Sequence, residues 1–242
     1  MLVAIHQPHY LPWLGYLQRM AQADLFVLLD HVQYERGNYQ NRTAIRIDGA
    51  ARWLTVPVLQ RSQKERIADK LIDNGLQGPR WWARTHLLTL RHAYREARHL
   101  AAYLPQLREI YATRFERLVD LNAALLQLLR RAFGITTPLV PSSQLAPQGA
   151  KSEMVLDICR RVGAERFLVG LGASRAYLDR AAFARAGIEI VFQEFTHPVY
   201  RQCGRAPFNA GLSALDVLLN CGSDSARHLL GAPRAIEERL AA

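Results

Sequence analysis

"KSEMVLDICRRVGAERFLVG", Lys151 to Gly170, is the stretch whose reading decides the fold. Val155, Ile158, Cys159 and Val162 recur at three- and four-residue spacing, the signature of a helix with one buried face. "RFLVG" (Arg166–Gly170) is too short for a helix and ends on glycine, so it reads as a buried strand. The pattern then repeats. "YLDRAAFARAG" (Tyr177–Gly187) reads as a helix, and "IEIVFQEF" (Ile188–Phe195) as a strand with Ile188, Ile190 and Phe192 on one face.

The same alternation holds towards the N-terminus. "LVAI" (Leu2–Ile5) and "LFVLLD" (Leu25–Asp30) read as strands, with a helix over Leu14–Gln22 between them, and "PLV" (Pro138–Val140) as another short strand. Strands alternating with helices predict an α/β fold: a Rossmann-like, mostly parallel sheet covered on both faces. Two features interrupt it. Asp48-Gly49 between "TAIRI" and "AARWLTVPV" predicts a β-hairpin. From about residue 80 to 134 the sequence turns helical. Leu107, Ile110, Tyr111, Arg114, Leu118, Leu121, Leu125 and Leu128 keep one spacing, Pro105 is expected in the first turn, and Gly134 closes the run. The expected organisation is a single α/β domain over 1–242 with a helical insertion at about 80–134.

Half of the 242 residues are hydrophobic, ample for a sizeable core. The N-terminus lacks the features of a signal peptide, and no apolar run reaches bilayer length. The three cysteines, Cys159, Cys203 and Cys221, never stand in C-x-x-C spacing, so neither a disulfide framework nor a structural zinc is expected, and the reading is cytoplasmic. The net charge of +10 (31 Lys+Arg against 21 Asp+Glu) suits anionic partners, although arginines spread along a chain also simply solvate helix faces.

Candidate chemistry gathers after the strands, because binding loops of open parallel sheets lie at strand C-terminal ends. "HQPHYLPW" (His6–Trp13), "DHVQYERGNYQNR" (Asp30–Arg42), "GLGASRAYLD" (Gly170–Asp179) and "QEFTHPVYRQ" (Gln193–Gln202) are expected to converge on one edge. "HQPHYLPW" and "FTHPVY" are expected to be facing walls of one pocket. His197 is the candidate general base, with His6 and His9 as further acid/base candidates. Gln7, Tyr10, Gln33 and Asn41 are candidate polar contacts. Arg42 suits a carboxylate or phosphate, unless it pairs with Asp30 to hold the hairpin. Lys151, at the start of a helix, is placed for an anion.

These segments, with "KSEMVLDICRRVGAERFLVG" and "SALDVLLNCG" (Ser213–Gly222), resemble the WbqC-like family from about Leu2 to Gly222. By position the family pattern falls on Gln7, Pro8, Pro12, Gly15, Tyr16, Asp30, Gln33, Asn41, Arg42, Lys151, Gly170, Tyr177, Gln193, His197, Pro198 and Tyr200. It accepts other residue types where His6 and His9 stand. The resemblance implies a transferase of surface-polysaccharide or secondary-metabolite biosynthesis that joins a small acyl or aminoacyl group, such as glycine, to an amine. The donor would be a thioester, an adenylate or an aminoacyl-tRNA; the acceptor, an amino sugar or a biosynthetic intermediate.

Two rival readings stand beside it. His6-Gln7-Pro8-His9 has the histidine spacing of the H-x-G-H loop of nucleotidyltransferases and adenylate-forming enzymes, with Pro8 at the glycine position. A non-catalytic module that binds tRNA or a carrier protein would instead use Trp13, Trp53, Trp81 and Trp82 as stacking surfaces.

Overall fold

Apolar residues align across the strands in register, which is why the sheet forms where the alternation places it. In the computed structural model, which describes residues 1–76, 78, 81–170, 172, 177–230 and 235–236, β1 (Leu2–His6) pairs in parallel with β2 (Leu25–Leu28). A hairpin follows, β3 (Arg42–Ile47) with β4 (Ala50–Thr55). Strands β5 (Leu139–Pro141), β6 (Arg166–Val169) and β7 (Glu189–Gln193) complete the parallel set. Short β8 (Ala235–Ile236) joins antiparallel, and the order is β5-β2-β1-β6-β7-β8. The chain winds outward from β1 on one side and then on the other, so the order reverses between β1 and β6.

Alternate residues feed two cores. Ala4, Phe26, Leu28, Leu168 and Val191 face one core, with α1 (Leu14–Gln22), the helical insertion and α7 (Ala214–Leu230, broken at Gly222). Val3, Ile5, Val27, Phe167 and Val169 face the other, against α5 (Lys151–Arg161) and α6 (Arg180–Arg185). Both faces are covered, as near-continuous apolar strands require.

The hairpin turn is as expected. Asp48 and Gly49 both take positive φ (49° and 79°), the backbone of a two-residue turn whose twist matches the strands. The insertion differs. The expected continuous stripe is two helices, α3 (Leu100–Ala112) and α4 (Leu118–Phe133), preceded by α2 (Trp82–Ala93). The chain breaks between them because Ile72 and Leu118 donate backbone bonds to Glu116 and Lys70, pulling this segment into a bridge with Leu71. Pro105 lies inside α3, past the first turn, because the helix starts earlier, at buried Leu100. Gly134 closes α4 in the left-handed conformation (φ 68°).

One buried hydrogen-bond chain joins loop, hairpin and insertion. His86 Nε2 lies 3.1 Å from the Thr55 carbonyl, which can only accept, so Nδ1 is the acceptor nitrogen. The Tyr10 hydroxyl therefore donates to His86 Nδ1 (2.8 Å) and accepts from Tyr111. Burial pulls His86 down to about 4 and His9 down to about 3. Both stay neutral in the fold while an unfolded chain protonates them below about pH 6.5. The unfolded state thus binds more protons. Stability is complete above that pH and falls as pH drops towards the folded values. His86 alone is expected to cost about 2 kcal/mol at about pH 5. Urea midpoints should fall from neutral to that pH while the His86 ring shifts in NMR stay those of a neutral imidazole; a His86 that titrates above about pH 6 would refute this.

Candidate functional site

The parallel register brings the ends of β1, β6 and β7 to one edge, where they border a cleft of about 470 Å³. The loop after β1 supplies His6, Gln7 and His9, and α1 supplies Gly15, Tyr16 and Arg19. Asn38 and Tyr39 come from the segment before β3, Gly172 from beyond β6, and Gln193 from the end of β7. The cleft lies at the point where the strand order reverses, the usual binding place of open α/β sheets.

The loop after β1 is held at several points. Leu11 carries a positive φ of 45°, uncommon for a branched residue. Thr43 Oγ1 donates to its carbonyl (2.9 Å), Tyr10 N donates to Tyr39 O (3.0 Å), and Ala214 N donates to Pro12 O (2.8 Å). Such contacts over-determine a strained backbone and fix the side chains beyond it.

The two histidines of this loop differ in environment. Their rings meet edge-on with centroids 4.5 Å apart, and both pack on Tyr16 (4.8 and 5.1 Å). His6 is half-buried, and its Nδ1 lies 3.0 Å from the Gln7 carbonyl. A carbonyl can only accept, so Nδ1 carries the hydrogen and Nε2 the lone pair. His9 is buried, stacks on Tyr39 at 5.4 Å, and is held neutral by burial. Gln7 Oε1 accepts from Gln40 Nε2 (2.9 Å), so the Gln7 amide turns its donor end elsewhere. Gln193 Nε2 donates to Gly15 O (2.8 Å) and Gln18 Oε1 (2.7 Å), tying β7 to α1.

Among the described residues, three buried polar atoms at this cleft have no hydrogen-bond partner: His9 Nδ1, the Tyr16 hydroxyl and Arg19 Nε. Burial lowers the Arg19 guanidinium to about 9 and pushes the Tyr16 phenol up. Gly170 makes room for Arg19. A Cβ there would lie 1.6 Å from Arg19 Nη1.

Of the candidates read from the sequence, His6, Gln7, His9, Tyr16 and Gln193 meet at this cleft. The others sit elsewhere. Tyr10 is part of the buried Tyr111–His86 chain. Asp30 accepts from Ser142 Oγ (3.0 Å), Ser143 N (2.8 Å) and Ser143 Oγ (2.7 Å), so it anchors the end of β5 and makes no ion pair with Arg42. Gln33 donates to Gln63 O and Asn41 to Val56 O. Arg42 lies over the Trp53 ring (4.2 Å) and lines a second cleft with Tyr34 and Arg36. Lys151 and Tyr177 are exposed and line neither cleft. Within the loop Gly170–Asp179, positions 171 and 173–176 lie outside the described residues.

His197 packs among Phe195, Tyr200 and Phe208, with ring centroids 5.8, 6.2 and 5.7 Å away. Its Nδ1 meets the Pro198 carbonyl (2.9 Å), and its Nε2 is buried without a partner. It does not line the switch-point cleft, and neither does the rest of "FTHPVY". Asn38 and Tyr39 stand in that wall, while Phe195 packs edge-on against Trp13 (5.2 Å). The loop beyond β7 is drawn away by two anchors. Tyr200 and Gln202 donate to buried Asp216 (2.6 and 3.0 Å), and Arg46 donates to Cys203 O, Gln202 Oε1, Ala206 O, Pro207 O and Asn209 Oδ1.

Arg19, Asn38 and Tyr39 belong to the site without having been singled out from the sequence. No local signal singled out Arg19, which is one of three polar residues of α1 beside Gln18 and Gln22.

The WbqC-like protein family model matches residues 7–228, and the chain belongs to that family. It is also similar to the uncharacterized protein Rv1507c of Mycobacterium tuberculosis, 31% identical over 94% of this chain and 96% of that one. No solved structure matches. Among the described residues no helix is long and apolar enough to cross a membrane.

The close approach at Gly170 generates a prediction. Gly170→Ala should displace the Arg19 guanidinium from the cleft, since the end of a long side chain moves more easily than backbone. The cost should be about 1–3 kcal/mol, as for other overpacked sites. Chemical denaturation checks the cost and a crystal structure the displacement; an unmoved Arg19 would refute it.

Proposed function

We propose that this WbqC-like chain is a cytoplasmic transferase that moves a small acyl or aminoacyl group, such as glycine, onto an amine of an amino sugar or similar biosynthetic intermediate. The observation that supports this reading most is the His6 imidazole. It lines a cleft of small-molecule size, and its Nδ1 hydrogen is committed to the Gln7 carbonyl, so its Nε2 lone pair is the one available for a proton. An amine attacking an activated carbonyl must lose a proton, and the oxygen that gains charge needs donors. His6 Nε2 takes the amine proton as the new C–N bond forms. Collapse of the tetrahedral intermediate breaks the donor's acyl–sulfur or acyl–oxygen bond, the thiol, nucleotide or tRNA leaving with a proton returned by His6 where it needs one. The Gln7 amide, whose oxygen is already occupied by Gln40, offers N–H donors to the oxyanion. His9 stays neutral and serves as a fixed wall, because burial keeps it from carrying a proton at physiological pH. Gly15, Gly172 and Gly211 keep part of the lining free of side chains, which suits a compact acyl group.

The family pattern does not require histidine at position 6, so this base is a feature of this chain's own cleft. His197, the base expected from sequence, provides the comparison. His6→Gln should lower kcat about a hundredfold or more with KM little changed. His197→Gln should chiefly lower stability, since its ring fills an aromatic cluster. The assay follows transfer to the acceptor that accumulates in a deletion strain, identified by mass spectrometry. Full activity in His6→Gln with loss in His197→Gln would return the base to His197 and move the site away from this cleft.

A further inference from the structure

We infer that Arg19 is the anchor of an anion subsite at the β1–β6 crevice, built to hold a compact oxyanion (a carboxylate or a phosphate) of the substrate. This rests on the cleft being the substrate site and names the chemistry of one end of that substrate.

Three cations are buried among the described residues, and two of them are satisfied. Arg46, 2% exposed, meets five acceptors in the loop beyond β7. Lys70, 1% exposed, pairs with Glu65 at 2.8 Å and lies over the Tyr34 ring. Arg19, 5% exposed, has neither a hydrogen bond nor an ion pair with any described residue, and its Nε is fully enclosed. Burying a cation without a partner is costly, so an unpartnered buried guanidinium marks a missing counter-charge.

Among the described residues that line the cleft there is no aspartate or glutamate, and Arg19 is the one arginine or lysine. Burial lowers the guanidinium but leaves it charged at neutral pH, so the described lining carries a positive charge with no carboxylate against it. The C-terminal turn of α1 favours a cation only weakly and does not account for this placement. The neighbouring Tyr16 hydroxyl fits the same ligand. The Tyr16 hydroxyl and His9 Nδ1 are buried at the same cleft, and the hydroxyl is a donor suited to an oxyanion. Gly170, having no side chain, leaves the room that the guanidinium occupies. A guanidinium fork matches carboxylate and phosphate oxygens in pairs, which selects oxyanions over halides.

Binding is read on the full chain by titration calorimetry and thermal melting, with inorganic phosphate and acetate as separate probes and chloride as the ionic-strength control. Either probe should raise the melting temperature of the wild-type chain. Arg19→Met should weaken that binding roughly ten- to a hundredfold, the loss expected for charge-assisted hydrogen bonds. Without any probe it should melt at or above the wild-type temperature, because a buried unpaired charge has been removed. A structural role for Arg19 predicts the opposite sign. Phosphate alone as the effective probe assigns a phosphorylated substrate, and acetate a carboxylate. Arg19→Lys should retain part of the binding. Equal binding to the wild type and Arg19→Met, or no binding beyond the chloride control, overturns the inference. So does failure of both variants to fold. Because no turnover is needed, anion binding through Arg19 in a chain that transfers nothing keeps this inference and sinks the acyl-transfer reading.

Discussion

Strand β1 is paired on both sides, with β2 along one edge and β6 along the other, and the arrangement at the cleft follows from this. The chain leaves β1 into α1 on one face of the sheet, and leaves β6 towards α6 on the other, as their separate core clusters show. Loops from adjacent strands that depart to opposite faces cannot fill the space between them. A crevice at the C-terminal edge is therefore a consequence of topology, before any side chain is specified. Side chains then decide its chemistry.

A crevice binds well only if its walls hold still, because ordering them on binding costs entropy. Here the walls are tied by long-range hydrogen bonds. The Tyr111–Tyr10–His86–Thr55 chain connects the loop after β1 to the insertion and the hairpin. Gln40 bonds Gln7 from one side, and its carbonyl accepts from Asn122 of α4 (2.8 Å). The helical insertion thus supports the cleft from behind. Its burial of polar groups would be destabilising if any link were missing, which makes the support cooperative.

This distinction separates what was legible in the sequence from what was not. The strands and helices around Lys151–Gln193 were legible because each must bury one stripe, and the spacing of Val155, Ile158 and Phe167 records that need locally. The Asp48-Gly49 turn was legible because positive φ at two successive residues restricts the residue types. The break at residues 113–117 was not, since the apolar spacing continues through it and only a bridge to Leu71 interrupts the helix. The place of His197 was hidden for the same reason. Asp216 and Arg46, at opposite ends of the chain, fix the loop beyond β7. Five of the twelve cleft residues could be read, because His6, Gln7, His9 and Gln193 lie at or just beyond strand ends and Tyr16 stands near the start of the helix that follows. Arg19 could not, because only tertiary packing shows that a helical arginine lacks a partner.

Burial gives similar residues in this cleft different chemistry. His6 and His9 belong to one loop and touch one another, yet His9 is enclosed and held down to about 3, while His6 remains half-buried beside the cleft. One imidazole is thus a permanent neutral surface, and the other retains a lone pair towards the cleft. Arg19 adds a charge that no described residue answers. In the proposed reading an imidazole beside an unanswered cation is an asymmetric pair: the cation would draw in an oxyanion, and the imidazole would relieve an incoming amine of its proton. Neither group can substitute for the other, since a guanidinium does not accept protons at neutral pH and a neutral imidazole offers no charge. A substrate pair in which one end is anionic and the other an amine fits that asymmetry, whereas two anionic ends would leave the His6 side without a role.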